Sequence, residues 1–476
     1  MRDIKDAEAR RLYREKVTAA MTEAMTQPLL KRTDLLEARV PRYTSYPTAP
    51  HFHPGVTGEA FGEWLAHLPE GIPLSLYLHV PFCDTLCWFC GCHTKIVNTY
   101  SPLTSYLGYL AKEIDLVAGI VGPDHPVSHV HWGGGSPTML TPDDVKKLAA
   151  RLRSRFNFAP DAEFAIEIDP RGLADGMIAA LAEAGVNRAS IGVQDCDEQV
   201  QKAINRIQPF EVTESAVTRL RAAGIEALNI DLIYGLPYQT EARIARTIEL
   251  AMSLEPNRFA VFGYAHVPHF KKHQNLIPTE SLPNAEERLA QCELAHEILS
   301  SSGYTAIGLD HFARPDDSLA VAQKEGRLAR NFQGYTTDSA PALVGLGASS
   351  ISALPQGYVQ NLPEVPEWRK ALDEGRLPVA RGIALSDDDR LRRTIIERLM
   401  CDLEVNLDAV AAPFGKSASD FAGEMTALEP LAVQGLVSRS GARISVPPAA
   451  RSAIRLVAAA FDSYLARSNA VHAPAV

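Results

Sequence analysis

Between about residues 72 and 270 the chain repeats one pattern: a short apolar, β-prone run, then an amphipathic helical stretch. The runs are LSLYLHV (74–80), VSHVHWG (127–133), FAIEID (164–169), ASIGVQ (189–194), ALNIDLIYG (227–235) and FAVFGYA (259–265). Among the helices between them, TPDDVKKLAARLRSRF (141–156) has Thr141 placed as an N-cap and Pro142 in the first turn. Such alternation predicts an α/β fold with a parallel sheet and right-handed crossovers. About six β/α units predict a partial barrel, (β/α)6, instead of a closed eight-stranded one. Further strands are predicted at YTAIGLDHF (304–312) and LVGLGASSIS (343–352).

A chain of 476 residues exceeds what one core normally serves, and 46% apolar content is enough to bury a sizeable one. Three parts are expected. Residues 1–46 form a charged helical arm followed by an extended stretch, because the prolines of PRYTSYPTAPHFHP disfavour helix. Residues 47–378 form the catalytic domain. Residues 379–476 form a mostly helical C-terminal domain, with a hairpin at GLVSRSGARISV. Acidic residues outnumber basic ones 57 to 47, and a net charge of −10 argues against nucleic acid or anionic lipid as the main partner. No run of about 18 apolar residues occurs and the first residues lack an apolar signal stretch, so a cytoplasmic protein is expected.

The polar and glycine-rich signals recur at the ends of successive strand candidates. Cys83 follows the first and Gly133–Gly135 the second; Glu167 with Asp169, Gln194 with Asp195, Asp231 with Tyr234 and Tyr264 with His266 come after. In β/α folds the C-terminal strand ends build the active face, so these groups are expected to converge on one cavity.

Four of the seven cysteines fall between residues 83 and 92, while Cys196, Cys292 and Cys401 are scattered. In a reducing compartment a cluster of this kind reads as a metal site. The segment HVPFCDTLCWFCGCHTK spaces Cys83, Cys87 and Cys90 as C-x3-C-x2-C, with Cys92 beyond Gly91. Three such thiolates can hold three irons of a 4Fe–4S cube and leave the fourth iron open. An open iron can chelate S-adenosylmethionine, whose one-electron cleavage gives methionine and a 5′-deoxyadenosyl radical. A zinc knuckle using His93 is the competing reading, although structural zinc normally takes a second ligand pair, and none is visible. Cys92 is either a strained fourth ligand or a thiol beside the cluster. HWGGGSPT (131–138) lets backbone approach the methionine end of the cofactor, or is simply a tight turn. Glu167 and Asp231 bond ribose hydroxyls or the amino group, or serve as structural carboxylates at strand ends. Gln194 and Arg206 divide the same way. Tyr77 packs over the cofactor or the core, and Phe89 covers the cluster and adenine.

The match extends through PRYTSYPTA, YLHVPFCDTLCWFCGC, HWGGGSPT, EIDPR, GVQD, NIDLIYGLP, DHFARPDD and NFQGYTT. Over nearly its whole length the chain resembles the oxygen-independent coproporphyrinogen III oxidase (dehydrogenase) family of radical S-adenosylmethionine enzymes. The CGC ending, DHFARPDD and NFQGYTT are specific to that resemblance. It implies a TIM-like partial barrel of the radical S-adenosylmethionine type. It also implies conversion of the ring A and B propionates of coproporphyrinogen III to vinyl groups, with loss of carbon dioxide. By the same resemblance Cys83, Cys87 and Cys90 hold the 4Fe–4S cluster. Tyr77, Phe89, Gly134, Gly135, Ser136, Glu167, Gln194, Arg206, Asp231, Ala265 and Ile351 contact two molecules of S-adenosylmethionine. Cys92 matches a cysteine needed for activity and not for the cluster. A monomer served by a low-potential electron donor is implied as well. Two positions depart from the pattern: Ser136 stands for an expected threonine and Cys196 for an aromatic residue. A tetrapropionate substrate calls for cations, for which Arg42, Lys95, Arg171 and Arg314 are candidates. Two other readings stay within the superfamily, a haem carrier and a radical haem methyltransferase. The carrier typically lacks the extra cysteine, the PRYTSYPT arm and the YTT segment present here.

Overall fold

The computed structural model describes residues 38–465, so most of the expected helical arm lies outside the described residues. The six runs become β1 (Leu74–Val80), β2 (Pro126–Gly134), β3 (Asn157–Ile168), β4 (Arg188–Gln194), β5 (Ala227–Tyr234) and β6 (Arg258–Gly263). The two later runs each break in the middle. YTAIGLDHF splits into β7 (Thr305–Ile307) and β8 (His311–Ala313), because Gly308 adopts φ +51° and turns the chain back. LVGLGASSIS splits into β9 (Ala342–Leu346) and β10 (Ile351–Leu354), with Gly347 and Ser349 left-handed between them. β11 (Gly357–Asn361) and β12 (Val379–Ala384) complete a sheet ordered β12-β11-β10-β9-β1-β2-β3-β4-β5-β6-β8-β7.

All neighbours from β9 through β1 to β6 run parallel, so β9 adds a parallel strand on the outer flank of β1. Antiparallel strands close both edges. Buried parallel strands usually read as continuous apolar runs. Here β4 and β5 alternate instead: Ala189, Ile191, Val193, Leu228, Ile230 and Leu232 are buried. Arg188, Ser190, Asn229 and Asp231 face a central cavity of about 210 Å³. At the N-terminal end of that cavity Arg188 pairs with Glu163 at 2.9 Å and Arg258 with Asp317 at 2.7 Å. Asp317 also accepts the Leu319 N–H that opens the helix Ser318–Lys324. The last aspartate of DHFARPDD thus helps close the floor of the barrel.

Beyond β12 the chain builds a second core on the helix Asp387–Asp402, which Ser386 and Asp389 start with a capping box. Leu391, Ile395 and Leu399 pack there against Ile454, Val457 and Phe461. The expected hairpin forms from Ser438–Ser440 and Arg443–Ser445, and Glu404–Asn406 adds a third strand. Tyr43 and Tyr46 of the extended stretch are buried in this same core. Tyr46 meets Tyr464 edge-on at 5.9 Å, and Tyr43 donates to Asp462 at 3.1 Å. No helix among the described residues is long and apolar enough to cross a membrane. Emptying the Tyr46 site by Tyr46→Ala should cost about 3–5 kcal/mol, read as a lowered denaturant midpoint.

Candidate active site

The end of β2 is pressed against its neighbours too closely for any side chain. A Cβ on Gly133 would lie 2.6 Å from Glu167 Oε1, one on Gly134 2.5 Å from the His79 ring, and one on Gly135 2.4 Å from the Phe82 carbonyl oxygen. The same turn is pinned by hydrogen bonds. Gly134 N donates to Glu167 Oε2 at 3.0 Å, Gly135 N to the Val80 carbonyl at 2.8 Å and Ser136 N to the Phe82 carbonyl at 2.8 Å. Burial alone would raise the Glu167 carboxyl; the bonds from His131 and the Gly134 N–H outweigh it and hold the group below its ordinary value. His79 stands between Tyr77 and the cysteine loop, with Nδ1 2.9 Å from the Tyr77 hydroxyl and Nε2 3.0 Å from the His93 carbonyl. A carbonyl can only accept, so Nε2 carries the proton, and burial keeps the ring neutral.

Cys83 follows β1 directly, and its carbonyl accepts from Val97 N at 3.0 Å. Cys87 is buried, with Arg206 Nη1 3.5 Å and Arg171 Nη2 3.7 Å from its sulfur. Both guanidiniums are held by Asp169, at 3.2 Å and 2.6 Å. Burial, then the neighbouring thiols of Cys90 and Cys87, push the Cys83 thiol up to about 12. Cys90 goes the other way, chiefly because the Cys92 thiol hydrogen-bonds to it, and Cys92 is raised in return. The loop is gripped from the far side by the segment after β6. Lys271 donates to the Cys92 carbonyl at 2.9 Å, His273 Nε2 meets the Cys90 carbonyl at 2.8 Å, and Gln274 donates to the Phe89 carbonyl at 3.0 Å. His93 spends Nε2 on the Pro363 carbonyl at 2.8 Å.

The expected convergence holds for some of the strand ends. Tyr77, His131, Glu167 and Asp231 line the central cavity. Asp231 accepts from Ser190 at 2.9 Å and from Asn229 at 2.7 Å; burial raises its carboxyl to about 6. Gln194 takes φ +70°, and its amide and the Arg206 guanidinium meet above Gly192, whose carbonyl Arg206 binds at 2.7 Å. The Ala265 carbonyl accepts from Gln274 at 3.3 Å, and Ile351 pairs with Gln360 at the start of β10. Other expected members lie off this cavity, Tyr264 among Val200, Ile204 and Ile277 with its hydroxyl 2.9 Å from His266 Nδ1. Asp195 is buried away from the cavity, holding Gln239 at 2.6 Å and Thr247 at 3.1 Å on the helix Glu241–Ser253. Tyr234 is buried with its hydroxyl on Cys292. Of the candidate substrate cations, Arg171 serves Asp169 and Cys87, Lys95 pairs with Glu364 at 2.9 Å, and Arg314 binds the Glu255 carbonyl at the opposite end of β6. Arg42 alone sits by the C-terminal end of β6, donating to the Gly263 carbonyl at 2.8 Å.

The Radical SAM superfamily model matches residues 77–251 and the HemN C-terminal domain model matches residues 385–452. An oxygen-independent coproporphyrinogen III oxidase of Bradyrhizobium diazoefficiens is 49% identical over 92% of this chain and 98% of its own length. The chain belongs to the oxygen-independent coproporphyrinogen III oxidases. A relative from Paracoccus denitrificans is 46% identical over 92% of this chain and 97% of its own. The coproporphyrinogen III oxidase of Escherichia coli, described as a radical SAM enzyme, superposes with a TM-score of 0.86 at 39% identity. It covers 90% of this chain and 100% of its own.

As a radical SAM enzyme of this family, the chain uses a 4Fe–4S cluster and S-adenosylmethionine, and its residues fit both. Three thiols stand on one short loop, two guanidiniums face the Cys87 sulfur, and the glycine turn binds the entry of that loop through the Val80 and Phe82 carbonyls while holding Glu167 beside it. Sequence reasoning missed Lys271, His273 and Gln274, although HFKKHQN was visible as a polar run straight after a strand. It also missed His79 and His131, whose value lies in their partners. Protonation of Asp231 below about pH 6 removes an acceptor from the cavity; with Asp231 as a cofactor contact, S-adenosylmethionine affinity should fall as pH drops through 6. Asp231→Asn should bind at least about tenfold more weakly at pH 7.5, a loss of about 1.4 kcal/mol, and lose that pH dependence in equilibrium dialysis.

Proposed function

We propose that this chain carries out the oxygen-independent oxidative decarboxylation of coproporphyrinogen III to protoporphyrinogen IX. The observation carrying this reading is the C-x3-C-x2-C loop whose entry is bonded to the glycine turn, which in turn donates to Glu167, at the mouth of a polar barrel. Bound there, the cluster and S-adenosylmethionine would supply a 5′-deoxyadenosyl radical able to take hydrogen from a propionate β-carbon, after which carbon dioxide leaves and an external acceptor takes the one electron released. The protein does the rest by placement. Cys83, Cys87 and Cys90 each take one iron, and Arg171 and Arg206 offset the charge gathered at Cys87. The glycine turn and Glu167 receive the amino-acid end of the cofactor, and Asp231 its hydroxyls. Tyr77, Phe89, Gly134, Gly135, Ser136, Gln194, Arg206, Ala265 and Ile351 complete the surround for two such molecules. Cys92, protonated and hydrogen-bonded to Cys90, stands ready as a thiol on the substrate side.

Arg42 and Arg330 are the cations best placed for a propionate. Arg330 stacks over Tyr335 at 4.3 Å and donates to the Arg42 carbonyl at 3.3 Å, while its Nε and Nη1 make no hydrogen bond. The radical chemistry calls for a low-potential donor and suits a reducing cytoplasm.

The deciding assay is anaerobic turnover of coproporphyrinogen III with dithionite and S-adenosylmethionine, scored by vinyl product; haem retention without turnover would favour the carrier reading. Cys87→Ser should abolish both the iron–sulfur absorbance and the cleavage of S-adenosylmethionine, and normal iron content in that variant would count against the ligand set. Cys92→Ser should keep the absorbance yet lose product. Arg42→Ala should raise the KM for coproporphyrinogen about tenfold with little change in kcat.

A further inference from the structure

Large apolar side chains are rarely left in water in a group. Of those exposed among the described residues, only Val321 and Val433 lie away from the cysteine loop. Ile96, Ile207, Tyr238, Phe270 and Leu276 all sit on segments tied to it or to its supports. Ile96 is paired with Cys83 in a short parallel ladder. Ile207 follows Arg206, which touches the Cys87 sulfur, and Asn205, which donates to the Leu86 carbonyl at 2.8 Å. Phe270 and Leu276 flank the three residues that bond the carbonyls of Phe89, Cys90 and Cys92. Tyr238 donates its N–H to the Ser281 carbonyl, just past that segment, at 2.7 Å. Beneath them Val200, Ile204, Leu236 and Ile277 form one small core on which Trp88 and Phe89 of the cysteine loop pack. Phe270, at 75% exposure, is the extreme case.

The charge there opposes that of the whole chain. Residues 264–278 carry two lysines, three histidines and no carboxylate, in a protein of net charge −10. Nearby acids are already balanced: Glu198 by Lys202, Asp197 by Arg243 and Glu364 by Lys95. Asp84, beside Cys83, is exposed and acts on Arg171, and Glu280 is exposed two residues past the segment. Lys272 is exposed, and Lys271 donates to a neutral carbonyl and pairs with no carboxylate in doing so.

We infer that this face, centred on Phe270 and Lys272, is the docking surface for an acidic one-electron carrier protein that reduces the cluster. The inference rests on the radical reading above, which requires a single electron from outside for each cleavage. One electron passes inward and the carrier leaves oxidised by one electron. A few exposed apolar side chains beside Lys271 and Lys272 suit a small, transient electron-transfer interface, steered by charge and released quickly. The bonds from Lys271, His273 and Gln274 bring such a partner directly against the segment bearing Cys90. A tetracarboxylate porphyrinogen would also be drawn to cations. Phe270 and Leu276, however, stand on the outer loop that grips the cysteine segment and do not line the central cavity.

The test uses reconstituted holoenzyme and, as probe, a reduced acidic flavodoxin. The double variant Phe270→Glu with Lys272→Glu should bind it at least about tenfold more weakly by fluorescence anisotropy. Cluster reduction by the flavodoxin, followed by stopped-flow absorbance, should slow in proportion. Dithionite-driven vinyl formation and the quenching of coproporphyrin III fluorescence should stay at wild-type levels, as should every readout in Val433→Glu. Unchanged flavodoxin affinity in the double variant overturns the inference, and so does a loss of coproporphyrin binding, which would assign the loop to substrate. Should wild-type enzyme form no vinyl product with dithionite, the proposed reaction fails and the docking result is still read from affinity alone.

Discussion

The site is organised by the close approach of one glycine backbone to its neighbours. Gly133, Gly134 and Gly135 leave no room for a Cβ against Glu167, His79 and the Phe82 carbonyl. That contact lets the N–H groups of Gly135 and Ser136 reach the carbonyls of Val80 and Phe82, so the chain entering the cysteine loop is fixed to β2 one residue before Cys83. It also puts an ionised carboxylate at the Gly134 N–H. The glycine turn, Glu167 and the entry to Cys83 are therefore one rigid unit, as a site with reactive radicals requires.

Around that unit the barrel carries polar groups where parallel sheets are ordinarily apolar. Such groups are tolerable because each finds a partner: Arg188 with Glu163, Arg258 with Asp317, Ser190 and Asn229 with Asp231. The pairs divide by depth. Those at the N-terminal ends neutralise one another and seal the floor, whereas Glu167 and Asp231 near the mouth keep acceptor capacity for a ligand. Their two carboxyls also differ, because His131 and a backbone N–H hold Glu167 down while burial pushes Asp231 up.

The extended stretch near the start of the chain connects the second core to the mouth. Tyr43 and Tyr46 are buried among C-terminal residues, and Arg455 donates to the Pro41 carbonyl at 3.0 Å. Arg42 lies between these anchors, reaching the end of β6. The C-terminal core thus sets the position of a cation at the active-site mouth without contributing to the barrel.

Local information was enough for the β/α units, because hydrophobic spacing and turn residues act over a few positions. It also marked the cysteine loop and the glycine turn, whose function lies in residue type and short spacing. It overextended two strands because a left-handed Gly308 and Gly347 look in sequence like any other glycine. It placed Asp195 and Tyr234 at the site from their position at strand ends, although one residue of side-chain alternation sends each to the helical layer. The roles of His79, Glu167, Lys271, His273 and Gln274 depend on partners 14 to 185 residues away. Which side chains meet over such separations is decided by how strands register and loops fold back, and only the tertiary structure fixes that.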